Sequence, residues 1–120
     1  MLHLFCTADF VARGMVEAVR TQPGRAHSQV HVVANAVLRQ AAPVFADVTP
    51  LAKGGEPHRW RATLVLPARC GAAHGPGEFL FLGRLQLGQP ALACAPQLHH
   101  WAMVRAAALQ EGRGKCSLDT

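Results

Sequence analysis

Arginine supplies the side chains with the clearest chemical potential in this sequence. Arg59, Arg61 and Arg69 stand close together, and each guanidinium offers forked donors that fit phosphate oxygens. The same residues suit a solvated basic face, because ten arginines and two lysines leave a net charge of only +5, which says little about a partner. Both interpretations stay open, and the solvated face is favoured.

Histidine and aspartate provide further candidates. His27 and His31 are four residues apart, but His31 falls in a predicted strand, where positions i and i+4 lie about 13 Å apart, so a shared metal ion is disfavoured. Asp9 can act as an acid or base, but capping the helix that follows it is the simpler interpretation. His99 and His100 are adjacent on a predicted helix and point to different faces, which favours a surface role.

A strand, a helix and a second strand are predicted to position these groups. Residues 2–6 form a short apolar run typical of a buried parallel strand. Residues 10–20 repeat apolar side chains at helical spacing, and residues 30–33 form a second, β-branched strand. This order predicts a βαβ unit with a right-handed crossover and functional loops at the carboxyl ends of its strands.

Further elements complete the predicted domain. An alternating strand spans residues 60–66, an apolar strand spans residues 78–82 and is closed by Gly83, and a helix spans residues 98–110. We therefore expect one α/β domain over residues 1–112, followed by a flexible tail over residues 113–120.

The cysteines and the N-terminal residues predict a cytoplasmic location. The four cysteines are widely spaced and form no C-x-x-C pair, which indicates reduced thiols rather than a disulfide framework. Residues 1–6 are apolar but lack the basic leader and small-residue cleavage site of a secretory signal. No apolar run approaches the roughly 18 residues of a membrane span, so no membrane partner is expected.

One segment carries a resemblance to a known family. Residues 17–35 include the pattern G-x-x-H-x-x-V-x-V-V-x-N and resemble the cytosolic pyrimidine 5′-nucleotidases, which are haloacid-dehalogenase-type phosphatases. Residues 4–8 and 81–83 resemble two further strands of that family. The resemblance implies a three-layer α/β/α sandwich with a mainly parallel sheet, truncated at its N-terminus, and Mg²⁺-dependent hydrolysis of nucleoside 5′-monophosphates.

The resemblance also implies a phosphate site. Lys53 corresponds to the catalytic lysine that balances the negative charge of nucleophile and phosphate. Cys6, Thr7 and Ala8 correspond to the hydroxyl and backbone donors that hold phosphoryl oxygens at a strand tip. Weak binding of a nucleoside monophosphate or phosphate is therefore expected.

Hydrolysis itself is not expected. The sequence contains no D-x-D nucleophile segment. Arg84 and Gln89 stand where the family carries its metal-binding carboxylates, and an arginine cannot coordinate Mg²⁺. No residue is assigned to a metal, and the chain is predicted to be catalytically incompetent by itself.

The alternative is a small basic RNA-binding or protein-interaction module. Residues 34–40 resemble a helix in the RNA-binding domain of a bacterial rRNA methyltransferase. The two hypotheses differ at residues 30–34. These residues form a central strand in the nucleotidase hypothesis and part of a helix in the RNA-binding hypothesis. The nucleotidase hypothesis predicts no nucleic-acid binding. It does predict that the chain can self-associate through an exposed sheet edge.

Overall fold

A computed structural model describes residues 2–20, 28–48, 59–65, 77–112 and 116. Within these ranges the chain forms two helices and six strands. In chain order they are α1 (Leu2–Thr7), β1 (Phe10–Arg20), β2 (Gln29–Gln40), β3 (Ala46–Asp47), β4 (Trp60–Val65), β5 (Phe79–Gln86), β6 (Gln89–Cys94) and α2 (Leu98–Gln110).

Five of the strands close into a barrel. The ring runs β1, β2, β4, β6, β5 and back to β1, and the short β3 pairs with β4 at residues 46 and 47. Neighbours are antiparallel except β4 and β6, which meet in parallel where Val65 lies opposite Ala91. A ring with an odd number of strands cannot alternate direction throughout, so a parallel contact is unavoidable. The order places β5 beside β1, as in a Greek key.

The barrel interior is filled from alternate positions of its strands. Side chains on a strand point to opposite faces in turn, so every second residue of each strand faces inward. The interior cluster consists of buried residues from β1, β2, β4, β5 and β6 and their flanking loops: Phe10, Ala12, Val30, Val32, Ala34, Phe45, Ala62, Leu64, Phe79, Phe81, Leu92 and Ala95.

Gly83 makes room for the Phe10 ring inside the barrel. A Cβ atom on Gly83 would overlap the Phe10 ring and the Ala91 carbonyl oxygen. Phe10 is fully buried and packs edge-on against Phe45, with ring centroids 5.8 Å apart. The glycine is therefore required by packing inside the barrel.

A helical layer covers the outside of β1 and β5. Val11, Leu80 and Leu82 point outward from these strands and form a second buried cluster with Phe5 of α1 and Trp101 of α2. The Phe5 and Trp101 rings stack with centroids 4.6 Å apart and an interplanar angle of 18°. The run Phe79–Leu82 is therefore apolar at every position because both of its faces are buried.

The predicted parallel α/β sandwich is wrong, because the protein is mostly β and its sheet is a mixed barrel. Residues 2–6, predicted as a strand, form helix α1, and residues 10–20, predicted as a helix, form strand β1. The helical repeat was misleading, since Met15 and Val19 are 54% and 43% exposed. At the start of β1, residues 10–12 are buried together because one face packs inside the barrel and the other under the helices.

Other predicted elements are confirmed. Residues 30–34 are in a strand, but that strand runs antiparallel to both of its neighbours. It continues through residue 40 as β2, so the helix required by the RNA-binding alternative is absent there. The alternating strand at β4 and the helix at Leu98–Gln110 lie where they were predicted.

The predicted end of the third apolar strand at Gly83 is too early. Strand β5 continues to Gln86 and turns into β6 through Leu87 and Gly88, whose φ angles are 51° and 78°. Positive φ at both central positions is the signature of the type I′ hairpin turn. Leu87 is fully exposed at this turn.

We predict that Gly83→Ala destabilises the domain by about 3 kcal/mol, because the new methyl group overpacks the Phe10 site. Thermal unfolding followed by circular dichroism measures the effect, and the midpoint should fall by about 10 °C or more. Gly112→Ala is the matched control: nothing lies within 4 Å of its added Cβ, so only the positive φ opposes it, at about 1 kcal/mol. Equal midpoints for the two variants would contradict the packing argument.

Candidate functional site

The residues predicted to hold phosphate lie at the end of helix α1, not at a strand tip. The Cys6 sulfur is bonded to Cys116. The Thr7 hydroxyl donates to the His3 carbonyl at 2.8 Å, and the Ala8 amide donates to the Leu4 carbonyl at 2.8 Å. These donors are therefore engaged within α1. Phosphate binding by Cys6, Thr7 and Ala8 stays a prediction.

The predicted catalytic lysine, Lys53, lies outside the described residues, as do His27 and Arg69. Among the residues that the structure describes, no group of three or more His, Cys, Asp or Glu side chains could hold a metal ion. No described helix is long and apolar enough to cross a membrane.

Asp9 and Arg84 have structural partners at the start of β1. The Asp9 carboxylate accepts the Leu85 amide at 2.8 Å, and its backbone amide donates to the Gly83 carbonyl at 2.8 Å. Arg84 donates to the Thr7 hydroxyl at 3.0 Å. The predicted helix cap at Asp9 is therefore wrong, because residue 9 instead connects α1 and β1 to β5.

Helix α1 is held on the barrel by a covalent and a polar contact besides its aromatic stack. The Cys6–Cys116 disulfide joins its last turn to the segment after α2, across 110 residues of sequence. Arg39 of β2 donates to the Phe5 carbonyl, and its guanidinium lies 5.7 Å from the centre of the Phe5 ring. Together these contacts hold α1 against α2 and the barrel, over the outer face of β5.

The prediction of reduced thiols is wrong. Cys94 is disulfide-bonded as well as Cys6 and Cys116, and no cysteine in the described part of the chain is free. Sequence spacing missed this because Cys6 and Cys116 are brought to a Cα separation of 5.7 Å only by the folded barrel.

The outer side of β1, β2 and β4 forms a partly exposed surface. We call it the open sheet face and define it by the outward side chains that share it: Arg13, Met15, Glu17, His31, Val33, Asn35, Arg61 and Thr63. Met15 lies opposite Val33, and Val33 lies opposite Arg61. The alternate residues of β2, including Val32 and Ala34, point into the barrel.

Three polar contacts at this face are long and exposed. Arg61 and Glu17 form an ion pair at 3.4 Å, with side chains 58% and 47% exposed. Arg13 donates to the Asn35 side-chain oxygen at 3.4 Å, and Asn35 donates to Glu78 at 3.5 Å. Exposed pairs of this kind contribute about 0–1 kcal/mol, so an incoming partner can replace them at little cost.

Two shallow grooves flank the ion pair, and both are lined by Glu17 and Arg61. One, of about 570 Å³, extends past His31 and Thr63, whose Nδ1 and Oγ1 atoms are 3.0 Å apart. The other, of about 580 Å³, extends past Met15 and Val33 toward Arg59 and Glu78.

The arrangement suits recognition of another macromolecule. Its centre is apolar, at Met15 and Val33, and its margin carries arginine and carboxylate side chains. Methionine and arginine are enriched at protein interfaces, where an apolar centre is surrounded by a polar rim. The alternation in β4 had already placed Arg61 and Thr63 on an outward face. Met15 was missed because it was assigned to a helix.

Comparison with known proteins identifies relatives over the whole chain. The family described as the meteorin C-terminal domain matches residues 1–108. Meteorin-like protein of Danio rerio is 35% identical over 120 residues, all of this chain and 40% of the relative. Meteorin of Rattus norvegicus is 34% identical over 118 residues, which are 98% of this chain and 38% of the relative. The chain spans about two fifths of the length of these relatives.

The resemblance to 5′-nucleotidases is therefore wrong. Its longest stretch covers residues 17–35, with shorter stretches at 4–8 and 81–83, whereas the meteorin match covers nearly the whole chain. The described residues of that segment, 17–20 and 28–35, belong largely to an antiparallel pair of barrel strands. The inferred hydrolysis of nucleoside monophosphates and its Mg²⁺ requirement came only from this resemblance, so they lose their basis.

We predict that the double variant Cys6→Ser with Cys116→Ser lowers the free energy of unfolding by about 2–5 kcal/mol, because a long loop is no longer closed in the unfolded chain. Chemical denaturation followed by tryptophan fluorescence measures this free energy, because Trp101 stacks on Phe5 of α1. Thr7→Val, which removes the Arg84 hydrogen bond but keeps the disulfide, should cost about 1 kcal/mol. An unchanged denaturation midpoint in the double variant would contradict the stabilising role of the Cys6–Cys116 bond.

Proposed function

The chain belongs to the family of the meteorin C-terminal domain, and on this basis we propose that it is a non-catalytic, extracellular binding domain of a secreted, cytokine-like protein. The observation that carries the proposal is the open sheet face. Helices α1 and α2 cover one outer side of the barrel. Met15 and the polar side chains around it lie on another side, where Met15 is exposed.

The disulfides support an oxidising compartment. Disulfide bonds persist in secreted and cell-surface proteins and are rare in the cytosol. Here one bond joins residues near the two ends of the chain, and a small domain gains most from such a bond because its core is small. These bonds support an extracellular location for the chain, whereas the sequence predicts a cytoplasmic one.

The chemistry of the open sheet face supports a protein partner. Met15 and Val33 offer an apolar centre, and Arg13 and Arg61 stand beside it. A fitting partner carries an apolar patch with carboxylates around it. The net charge of +5 favours association with an acidic surface, because long-range attraction raises the rate of encounter.

The proposal is tested with the fluorescently labelled 120-residue chain on intact vertebrate cells. We expect saturable binding that Met15→Glu weakens at least about tenfold, because a charge at the centre of an interface must be desolvated. Leu87→Glu is the matched control, since it adds the same charge at an exposed position on the distant hairpin turn. Melting curves of both variants should match the unmodified chain.

Enzymatic treatment of the cells identifies the class of partner. If the partner is a protein, mild surface proteolysis abolishes binding and heparinase leaves it intact. Loss of binding after heparinase would instead assign the arginines to a sulfated polysaccharide. Equal binding by the Met15→Glu and Leu87→Glu variants would exclude the open sheet face as the binding surface.

A further inference from the structure

Glu17 of β1 lies at an irregularity in the pairing between β1 and β2. Val16 lies opposite Val32, and the next pair along these strands is Ala18 with His31. The pairing therefore skips Glu17, which is the extra residue of a β-bulge. Bulges re-aim side chains and are frequent next to functional sites. Here Glu17 and Ala18 are consecutive and nevertheless line the same groove of the open sheet face.

The Glu17 carboxylate makes a weak contact with Arg61 of β4. Its Oε1 atom lies 3.4 Å from the Nη2 atom of Arg61, and the two side chains are 47% and 58% exposed. A strong arginine–carboxylate pair has two parallel bonds of about 2.7–2.9 Å. An exposed pair with one long contact contributes little to stability, so the stability of the fold does not explain why the bulge aims Glu17 at Arg61.

The Glu17–Arg61 pair lies where the two grooves of the open sheet face meet, because both residues line both grooves. The first groove continues past the polar side chain of His31. The second continues past the apolar side chain of Met15. A partner that fills the groove at Met15 therefore also covers the pair and removes water from both of its charges.

Arg61 gains more from the carboxylate of a partner than from Glu17. A covered charge needs close, well-aligned hydrogen bonds to offset its lost hydration, and the 3.4 Å contact does not supply them. A carboxylate that arrives from solvent can accept two bonds from the exposed guanidinium. We propose that Glu17 pairs with Arg61 only in the unbound chain, and that an Asp or Glu side chain of a protein partner displaces Glu17 on binding. This inference rests on the proposed function, in which a protein binds the open sheet face.

Charge complementarity favours a carboxylate as the incoming group. Among the described residues that line the first groove, Arg20 and Arg61 are cationic and Glu17 is the one carboxylate. This excess of positive charge attracts a further carboxylate and disfavours an incoming cation.

The strand register sets the spacing of the groups that the partner presents. Met15, Val33 and Arg61 lie in one row across β1, β2 and β4. Neighbouring strands are about 4.8 Å apart, so a partner that covers this row presents an apolar side chain about 5–10 Å from its carboxylate. Positions i and i+2 of a strand, or i and i+4 of a helix, provide that spacing.

Binding of the fluorescently labelled 120-residue chain to intact vertebrate cells tests the displacement. Glu17→Gln should bind about threefold to fivefold more tightly, the upper limit for an exposed ion pair, because Glu17 no longer competes for Arg61. Glu78→Gln is the matched control. Glu78 lines the second groove and contacts Asn35 at 3.5 Å, so its substitution changes the net charge equally but leaves Arg61 paired. A gain for Glu17→Gln no larger than that for Glu78→Gln overturns the proposal.

A double-mutant cycle with Arg61→Gln separates displacement from direct repulsion between Glu17 and an acidic partner. Arg61→Gln alone should weaken binding about tenfold, because the partner's carboxylate loses its cation. In the Arg61→Gln chain, the further change Glu17→Gln should strengthen binding less than it does in the unmodified chain, since there is no Arg61 to compete for. An equal gain in both chains would mean that Glu17 acts without Arg61, and the proposal would be wrong.

Thermal unfolding separates displacement from a structural role of the ion pair. Glu17→Gln should melt within about 3 °C of the unmodified chain, because the exposed pair contributes little to stability. A larger fall would make the pair structural and would overturn the proposal.

Heparinase treatment of the cells tests the chemical class of the displacing group. The gain from Glu17→Gln should persist after treatment. Its loss would identify the group as a sulfate of a polysaccharide and would overturn the assignment to a carboxylate.

Comparison with Met15→Glu distinguishes failure of this inference from failure of the proposed function. If Met15→Glu weakens binding while Glu17→Gln has no effect, the open sheet face remains the binding surface and the displacement of Glu17 is wrong. If neither variant changes binding, both the binding surface and the displacement are wrong.

Discussion

The burial of β5 on both faces is the constraint on which the rest of the structure depends. Phe79 and Phe81 face the barrel interior while Leu80 and Leu82 face outward. Exposing those leucines would leave a large apolar patch in water, which soluble proteins avoid. A second layer over the barrel is therefore obligatory, and α1 and α2, near the two ends of the described chain, supply it.

A layer made from the two ends needs attachment. Helix α1 is six residues long, too short to be stable by itself. The Phe5–Trp101 stack, the Arg39 contact and the Cys6–Cys116 bond compensate by tying α1 to α2 and to the barrel. Cys6 and Thr7, two of the residues predicted to bind phosphate, also take part in this attachment, through the disulfide and the Arg84 hydrogen bond.

Covering one outer side of the barrel determines which surface is available for recognition. The two arginines of the open sheet face make only long contacts there, Arg61 with Glu17 and Arg13 with Asn35. Such contacts keep the arginines extended without fixing them strongly. The strands beneath are paired with one another, β1 with β2 and β2 with β4, and a pre-ordered backbone lowers the entropy cost of binding.

Several local elements could be predicted from the sequence, because their signals are local. The period-two alternation of β4 specifies a half-buried strand, and the apolar residues Trp101, Val104 and Leu109 indicate helix α2. Residues 30–34 were identified as a strand from their β-branched side chains. Local pattern could not separate α1 from a strand or β1 from a helix, since apolar residues at positions 10–12 and at Met15 and Val19 fit more than one period.

The sequence by itself determined that strand β4, strand β2 and helix α2 form, and that no D-x-D nucleophile is present. Tertiary structure alone decided the direction of the strands, the pairing of the cysteines and the identity of the exposed face. The physical reason is the distance along the chain: Phe10 of β1 pairs with Gly83, and Cys6 bonds to Cys116. No local window contains both partners, so these contacts exist only once the barrel has closed.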